Sequence, residues 1–265
     1  MANNADKNYL ITGSTGIAAD TARLAAAGGA NVFIVGLDHG TCESLTAEIT
    51  QKGVKSEFFA TNLTEPEQVA AAVRTCVAQF GRIDSVFNAA GISGRRFGDG
   101  AIHECTVEGW DTTLDTNAKT VFLMCRETIN QMLAQEPDEH DLRGAILNMG
   151  SILNFSPEPK FFATHAYAAS KAAIVGLSRT MAAYYAKHKI RVNVIAPSLV
   201  KTPMSLRAQT DRAIIEFMRI KHPLGEEMLD SVDVARLALF LMSDEARRIT
   251  GETVKIDAGW NVSNV

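Results

Sequence analysis

The sequence predicts a doubly wound α/β fold: one parallel sheet with helices on both faces, in a single domain. Three observations carry this. The chain opens with a strand, a glycine turn, a helix and a second strand. Apolar strand-like runs then alternate with helical stretches to the far end. No linker, repeat or low-complexity run divides the 265 residues, and a hydrophobic content of 46% over that length is enough for one full core.

In order along the chain, Tyr9–Thr12 reads as a short apolar strand. The turn Gly13-Ser14-Thr15-Gly16-Ile17-Ala18 follows, then an alanine-rich helix through Ala27 that ends at Gly28-Gly29, as a helix C-terminus does. Val32–Val35 is a second buried strand. A glycine turn between strand and helix lets the backbone approach a pyrophosphate, and the helix N-terminus favours its charge. Two glycines alone are a weak signal; the strand before and the helix after give it weight. Helical stretches follow at about Cys42–Lys52, Glu65–Phe80, Lys119–Gln135, Ala166–His188 and Val232–Ser243. Strands follow at about Lys55–Phe59, Ile83–Asn88, Ala145–Met149, Arg191–Ile195 and Thr253–Ile256. Strands separated by helices form a parallel sheet, with the ligand at their carboxyl ends.

The chemistry is suggested by Tyr167-Ala168-Ala169-Ser170-Lys171, with Ser151 upstream. Residues four apart on a helix share a face, so Tyr167 and Lys171 are neighbours. A phenol holds its proton to a pKa of about 10, and a nearby ammonium stabilises the phenolate. Such a tyrosine can act as a general acid or base near neutral pH, and the Ser151 hydroxyl could hold a carbonyl or alcohol oxygen beside it. Singly, each has a plain structural reading: a helix cap for Asn117, a loop start for Ser151, a packed aromatic for Tyr167, a solvated charge for Lys171. Jointly, in this order, they read as a catalytic set. His165 reads as a loop histidine, and Asp111 and Asp115 read as surface charges on a helix.

Other features set limits. Residues 1–7 are polar and expected to be disordered. No apolar run reaches membrane-spanning length, and no secretory leader pattern is visible. Cys42, Cys76, Cys105 and Cys125 show no paired spacing, and the histidines form no ligand pair, so neither a disulfide framework nor a metal site is expected. A net charge of −4 argues against nucleic-acid binding. The expectation is a reduced, cytoplasmic globular protein.

The motifs taken together resemble the short-chain dehydrogenase/reductase family, single-domain type, over nearly the whole chain. The matching segments are Thr12-Gly13 with Gly16-Ile17, Asn88-Ala89-Ala90-Gly91, Asn117, Ser151, Tyr167 with Lys171, Arg191-Val192-Asn193, Pro197 with Thr202, and Thr250-Gly251 with Asp257-Ala258-Gly259. The resemblance implies a Rossmann-like fold and hydride transfer between a nicotinamide dinucleotide and a carbonyl/alcohol pair, without a metal. It implies that Tyr167 is the acid/base, that Lys171 lowers its pKa and binds the nicotinamide ribose, and that Ser151 orients the substrate oxygen. Asn117 matches the position that holds a helix kink and completes a proton relay. Further cofactor contacts are implied for Gly13, Ser14, Thr15, Gly16 and Ile17, for Asn88, Ala89, Ala90 and Gly91, and for Pro197, Val200 and Thr202.

The sequence also departs from the family pattern. The glycine turn is one residue shorter than in single-domain members and matches the extended ones. Ala18 or Ala19 stands for the third glycine, which should crowd the helix–strand contact. Asn62-Leu63 stands where an aspartate usually precedes the adenine; the Asn62 carbonyl oxygen could still accept from the adenine amine. Ser198 and Ala258 replace further glycines. Cofactor choice rests on Val35-Gly36-Leu37-Asp38. Leu37 occupies the position of an NADP-type arginine, Gly36 that of an NAD-type aspartate, and Asp38 lies within reach of the ribose. With no cation for a 2′-phosphate, NAD is expected over NADP.

Leu153–Ala166 and Pro203–Leu224 are expected to form the substrate wall, the latter with Met204, Leu206, Ile214, Ile215, Phe217 and Met218 as lid or subunit contact. Their apolar character suits a partly apolar ketone or secondary alcohol. Alternatives are a 3-oxoacyl thioester reductase, a dinucleotide-sensing regulator without chemistry, and an extended-type epimerase or dehydratase. The resemblance implies a homotetramer, with a homodimer second, through the helices at about Lys119–Gln135 and Ala166–His188.

Overall fold

The computed structural model describes residues 5–263. β1 (Asn8–Thr12) passes through the glycine turn into α1 (Gly16–Ala27). β2 (Asn31–Gly36), α2 (His39–Thr50), β3 (Ser56–Ala60), α3 (Pro66–Phe80) and β4 (Ser85–Asn88) follow. Next come α4 (Val107–Leu114), α5 (Thr120–Ala134), β5 (Gly144–Met149), α6 (His165–Tyr185) and β6 (Ile190–Pro197). The chain finishes through β7 (Val200–Lys201), α7 (Leu206–Thr210), α8 (Arg212–Lys221), β8 (Leu229–Asp230), α9 (Ser231–Met242) and β9 (Thr253–Ile256). Seven strands form one parallel sheet in the order β3-β2-β1-β4-β5-β6-β9, and β7 and β8 pair as a separate short ribbon. The winding reverses between β1 and β4, which opens the crevice at their carboxyl ends.

The central strands are continuous apolar runs because both of their faces are covered. On one face, the alanine stripe of α1 (Ala18, Ala22, Ala25, Ala26) packs with Leu45 and Ile49 of α2 and Val234 and Ala238 of α9. On the other face, Val69 of α3, Met124 and Ile129 of α5 and Ile174 of α6 meet Leu10, Val86 and Ile146 of the strands. Small side chains on α1 let two helices approach the sheet and each other. α1 ends as its glycines require: Gly29 adopts φ +90, while Ala30 N–H bonds Ala25 O and Gly29 N–H bonds Ala26 O, each at 3.0 Å.

The described part of the N-terminal segment differs from the expected disorder. The Lys7 ammonium pairs with Asp138 at 3.0 Å and Asp244 at 2.9 Å, fastening the chain beneath the sheet; residues 1–4 lie outside the described residues. α2 begins earlier than its apolar pattern suggests, because the Asp38 carboxylate accepts from Thr41 N–H at 2.7 Å and caps it. α4 runs through a π-helical turn, Asp115–Lys119, directly into α5. Sequence periodicity registers neither that junction nor the β7–β8 ribbon.

Candidate active site

Strand ends and one helix bring the expected set together at the carboxyl edge of the sheet. Ser151 follows β5, Tyr167 and Lys171 lie on α6, and Asn117 sits in the π-helical turn. Burial raises the Tyr167 phenol above its ordinary value, and a hydrogen bond with the Ser151 hydroxyl pulls it back. The Lys171 Nζ donates to Met149 O at 2.9 Å and lies 5.6 Å from the centroid of the Tyr167 ring. Burial lowers the Lys171 ammonium from 10.5 to about 8. Desolvation is the larger influence on both groups, and the Ser151 hydroxyl opposes it at the phenol.

Asn117 is fully buried. Its Oδ1 accepts from Ile92 N–H at 2.8 Å, and its Nδ2 donates to Ile92 O at 3.1 Å and Ser170 Oγ at 3.0 Å. It thus clamps the chain just beyond β4 to the catalytic helix. Gly91 lies within this clamp. A Cβ there would stand 2.8 Å from Asn117 Oδ1 and 3.6 Å from Lys171 Nζ, so only glycine fits without displacing them.

The glycine turn takes the backbone that a phosphate cradle requires. Gly13 and Gly16 adopt φ +97 and +54, and a Cβ on Gly16 would meet Thr202 Cγ2 at 3.1 Å. Thr15 makes no side-chain cap bond and the first turn of α1 holds no acidic residue, so its N–H groups are open to an anion. A Cβ on Gly13 would meet the Ala18 methyl at 3.2 Å, so the turn keeps its glycine beside α1. The Thr12 hydroxyl accepts from Ala89 N–H at 3.0 Å and Ala90 N–H at 3.1 Å, tying β1 to the end of β4. Ile17 packs on the α1 side of the core, Leu63 and Val200 are buried, and Pro197 ends β6. The Asn88 side chain turns into the core and donates to Asn148 Oδ1 at 2.8 Å, away from the crevice.

Two side chains expected at the adenosine end also make hydrogen bonds within the chain. The Asn62 Oδ1 already accepts from Thr64 N–H at 3.1 Å and Thr64 Oγ1 at 2.9 Å, so the oxygen meant for adenine is engaged. Asp38 spends Oδ1 on its helix cap and leaves the other carboxylate oxygen. Three features at this corner were not read from the sequence. Ser14 Oγ and Thr41 Oγ1 share a hydrogen bond of 2.7 Å. A Cβ on Gly36 would lie 2.7 Å from Cys42 Sγ, which excludes an aspartate without rearrangement. His39 packs edge-on against Phe58 with centroids 5.0 Å apart, and nearby Leu37 is 78% exposed.

The segment expected to be the substrate wall divides. Ile214 and Met218 are buried with Ile152 and Trp260, backed by Phe161, Phe162, Ile215 and Phe217, as a third core cluster. Met204 and Leu206 remain exposed. His165 is the exposed first residue of α6, and Asp115 pairs with Lys119 at 3.3 Å. Among the described residues, no helix is long and apolar enough to cross a membrane.

A family model described as enoyl-(acyl carrier protein) reductase matches residues 11–261. The chain is a short-chain dehydrogenase/reductase. Among similar family members, momilactone A synthase of Oryza sativa subsp. japonica is 35% identical over 262 residues, covering 97% of this chain and 91% of that protein. A 2,5-dichloro-2,5-cyclohexadiene-1,4-diol dehydrogenase of Sphingobium indicum is 31% identical, covering 98% and 99%. A 3-oxoacyl-[acyl-carrier-protein] reductase of Thermotoga maritima is 32% identical, covering 96% and 97%. In three dimensions, a short-chain type dehydrogenase/reductase from Mycobacterium ulcerans superposes with TM-score 0.89 at 26% identity, covering 98% of this chain and 91% of the other. Levodione reductase gives 0.88 at 27% identity, covering 98% and 99%. The short-chain dehydrogenase/reductase fold and oxidoreductase class therefore apply to this chain, with a nicotinamide dinucleotide as the family's cofactor.

Proposed function

We propose that this protein transfers a hydride between NAD(H) and a ketone or secondary alcohol, with Tyr167 exchanging the proton. The observation that carries the reading is the gathering of Ser151, Tyr167, Lys171 and Asn117 at the carboxyl edge of the sheet, with Lys171 Nζ 5.6 Å from the centroid of the Tyr167 ring and Gly91 kept small beside it. When bound, a nicotinamide dinucleotide would supply or accept the hydride. The open N–H groups of α1 would hold its pyrophosphate, and Leu37 and the free Asp38 oxygen would serve its adenosine end.

In reduction, the Ser151 hydroxyl orients the carbonyl oxygen and Tyr167 Oη–H donates its proton to it. In oxidation, Tyr167 accepts the alcohol proton. Lys171 stands beside the phenol and carries a proton close to neutral pH, and Asn117 holds the chain behind it. The bland alternatives for these side chains, caps and packing, do not explain why four of them meet at one strand edge. Exposed Met204 and Leu206 and a relative acting on a cyclic diol favour a partly apolar alcohol or ketone. Reduction of a 3-oxoacyl thioester is the second reading, favoured by the Thermotoga relative.

A panel of alcohols, ketones and 3-oxoacyl thioesters with NAD(H) and NADP(H), read by nicotinamide absorbance, tests this. Tyr167→Phe should lower turnover by about 10²–10⁴-fold while NADH affinity stays nearly unchanged. Binding of NADH without turnover of any panel member would instead mark a sensor, and undiminished turnover by Tyr167→Phe would remove the tyrosine from the mechanism.

A further inference from the structure

The loop between β4 and α4 carries a buried carboxylate that the proton relay does not use. Asp99 is 6% exposed and lies in Gly98-Asp99-Gly100. Its Oδ1 accepts from Ala166 N–H and its Oδ2 from Tyr167 N–H, each at 2.9 Å, across 67 and 68 residues of chain. A helix begins with N–H groups that lack intrahelical partners, and these are satisfied by a cap or lost. Thr164, at the N-cap of α6, makes no side-chain cap bond. The loop supplies the cap instead: His165 N–H donates to Gly100 O at 3.2 Å, and Asp99 takes the next two. The Cys105 thiol also points at Asp99 Oδ1, at 3.9 Å.

The same loop is fixed at its other end. Ile92 is clamped by Asn117 through two hydrogen bonds, and Gly91 lies against Lys171. Gly94, at φ +79, is held so close to Asp99 that a Cβ would approach Asp99 Oδ2 at 2.9 Å. One short loop therefore connects the strand end of the dinucleotide crevice to the backbone of Tyr167 itself. We infer that Asp99 is a positioning residue, which holds Tyr167 at its working distance from the substrate oxygen by capping α6 from the loop that follows β4. This rests on Tyr167 being the proton donor proposed above. A carboxylate suits the task because it offers two acceptor oxygens to two adjacent N–H groups and complements the positive end of the helix dipole.

The test uses wild type, Asp99→Asn, Asp99→Ala and Tyr167→Phe on the best substrate of the panel, with active sites counted by NADH fluorescence titration. A misplaced reacting group can cost about 10²-fold in rate. Asp99→Ala should bind NADH with the wild-type stoichiometry and an affinity within about twofold, yet lose about ten- to a hundredfold in kcat with KM little changed. Asp99→Asn keeps one acceptor oxygen and should fall between. A kcat per counted site within twofold of wild type in Asp99→Ala overturns the inference, as does a loss of NADH sites with normal kcat in those that remain. If Asp99→Ala does not fold, Asp99→Asn decides by the same criterion. An inactive Tyr167→Phe beside an unimpaired Asp99→Ala removes only the role of Asp99. An active Tyr167→Phe removes both readings.

Discussion

At the residue scale, two side chains carry distinct consequences. Lys171 is buried among groups that make its charged form unfavourable, so it titrates near 8 in the fold and near 10.5 in the unfolded chain. Below pH 8 both states hold the proton and the folded protein bears the full cost of burying it. Between pH 8 and 10.5 only the unfolded chain holds the proton, so stability rises with pH through that window. The unfolding free energy of wild type minus that of Lys171→Met should therefore increase across that window in urea titrations, and a flat difference would mean the ammonium is solvated. Asp38 divides its carboxylate between a cap and a ribose site. Asp38→Ala should weaken NAD binding about tenfold or more and spare NADP, because removing the carboxylate also removes repulsion of a 2′-phosphate. Adding Leu37→Arg should move preference further toward NADP. A lower melting temperature with an unchanged NAD/NADP efficiency ratio would leave Asp38 as a cap alone.

At the scale of elements, α8 is fixed less by its own helix than by the cluster under it. Phe161 meets Phe217 with centroids 5.3 Å apart, and Phe217 and His222 each stand edge-on to Trp260 at 5.6 Å. His222 Nδ1–H donates to Glu227 O at 2.6 Å, and burial holds its pKa below the ordinary 6.5 despite Asp257 nearby. Above 6.5 the imidazole is neutral in both states and the packing is intact. As pH falls below 6.5 the unfolded chain takes up the proton first, and stability is lost. Wild type should thus lose stability on acidification faster than His222→Gln, followed by the fluorescence of buried Trp260. Equal slopes would show that the ring is not desolvated. The glycine replacement at Ala258 belongs here too: it holds φ +47 where glycine would be unstrained, and its carbonyl receives Leu224 N–H at 3.1 Å, joining α8 to the end of the sheet.

At the scale of the molecule, the sheet and its two helical layers leave one face incompletely covered. Phe122 on α5 is 45% exposed and Tyr184 on α6 59%, and a Cβ on Gly176 would meet nothing within 4 Å. Small residues on α6 allow close approach of a second copy. We expect a two-fold assembly through α5 and α6, a tetramer with a dimer second. Light scattering at micromolar concentration should report it, Phe122→Glu should shift it toward monomer, and a monomeric wild type would refute it.

The sequence by itself determined the layer architecture, because alternating apolar runs and helical stretches can bury themselves in few ways, and the spacings within Gly13/Gly16 and within Tyr167/Lys171 are local. It also located the glycine turn, whose φ values are a property of the residue type. Only the tertiary structure decided what depends on groups far apart in the chain. Asp99 caps a helix 67 residues away, Cys42 fills the space beside Gly36, and Thr64 occupies the Asn62 oxygen through a turn that no periodicity reveals. The balance at Tyr167 is of the same kind. Four-residue spacing places an ammonium beside a phenol, but burial, which only packing sets, determines where either group titrates.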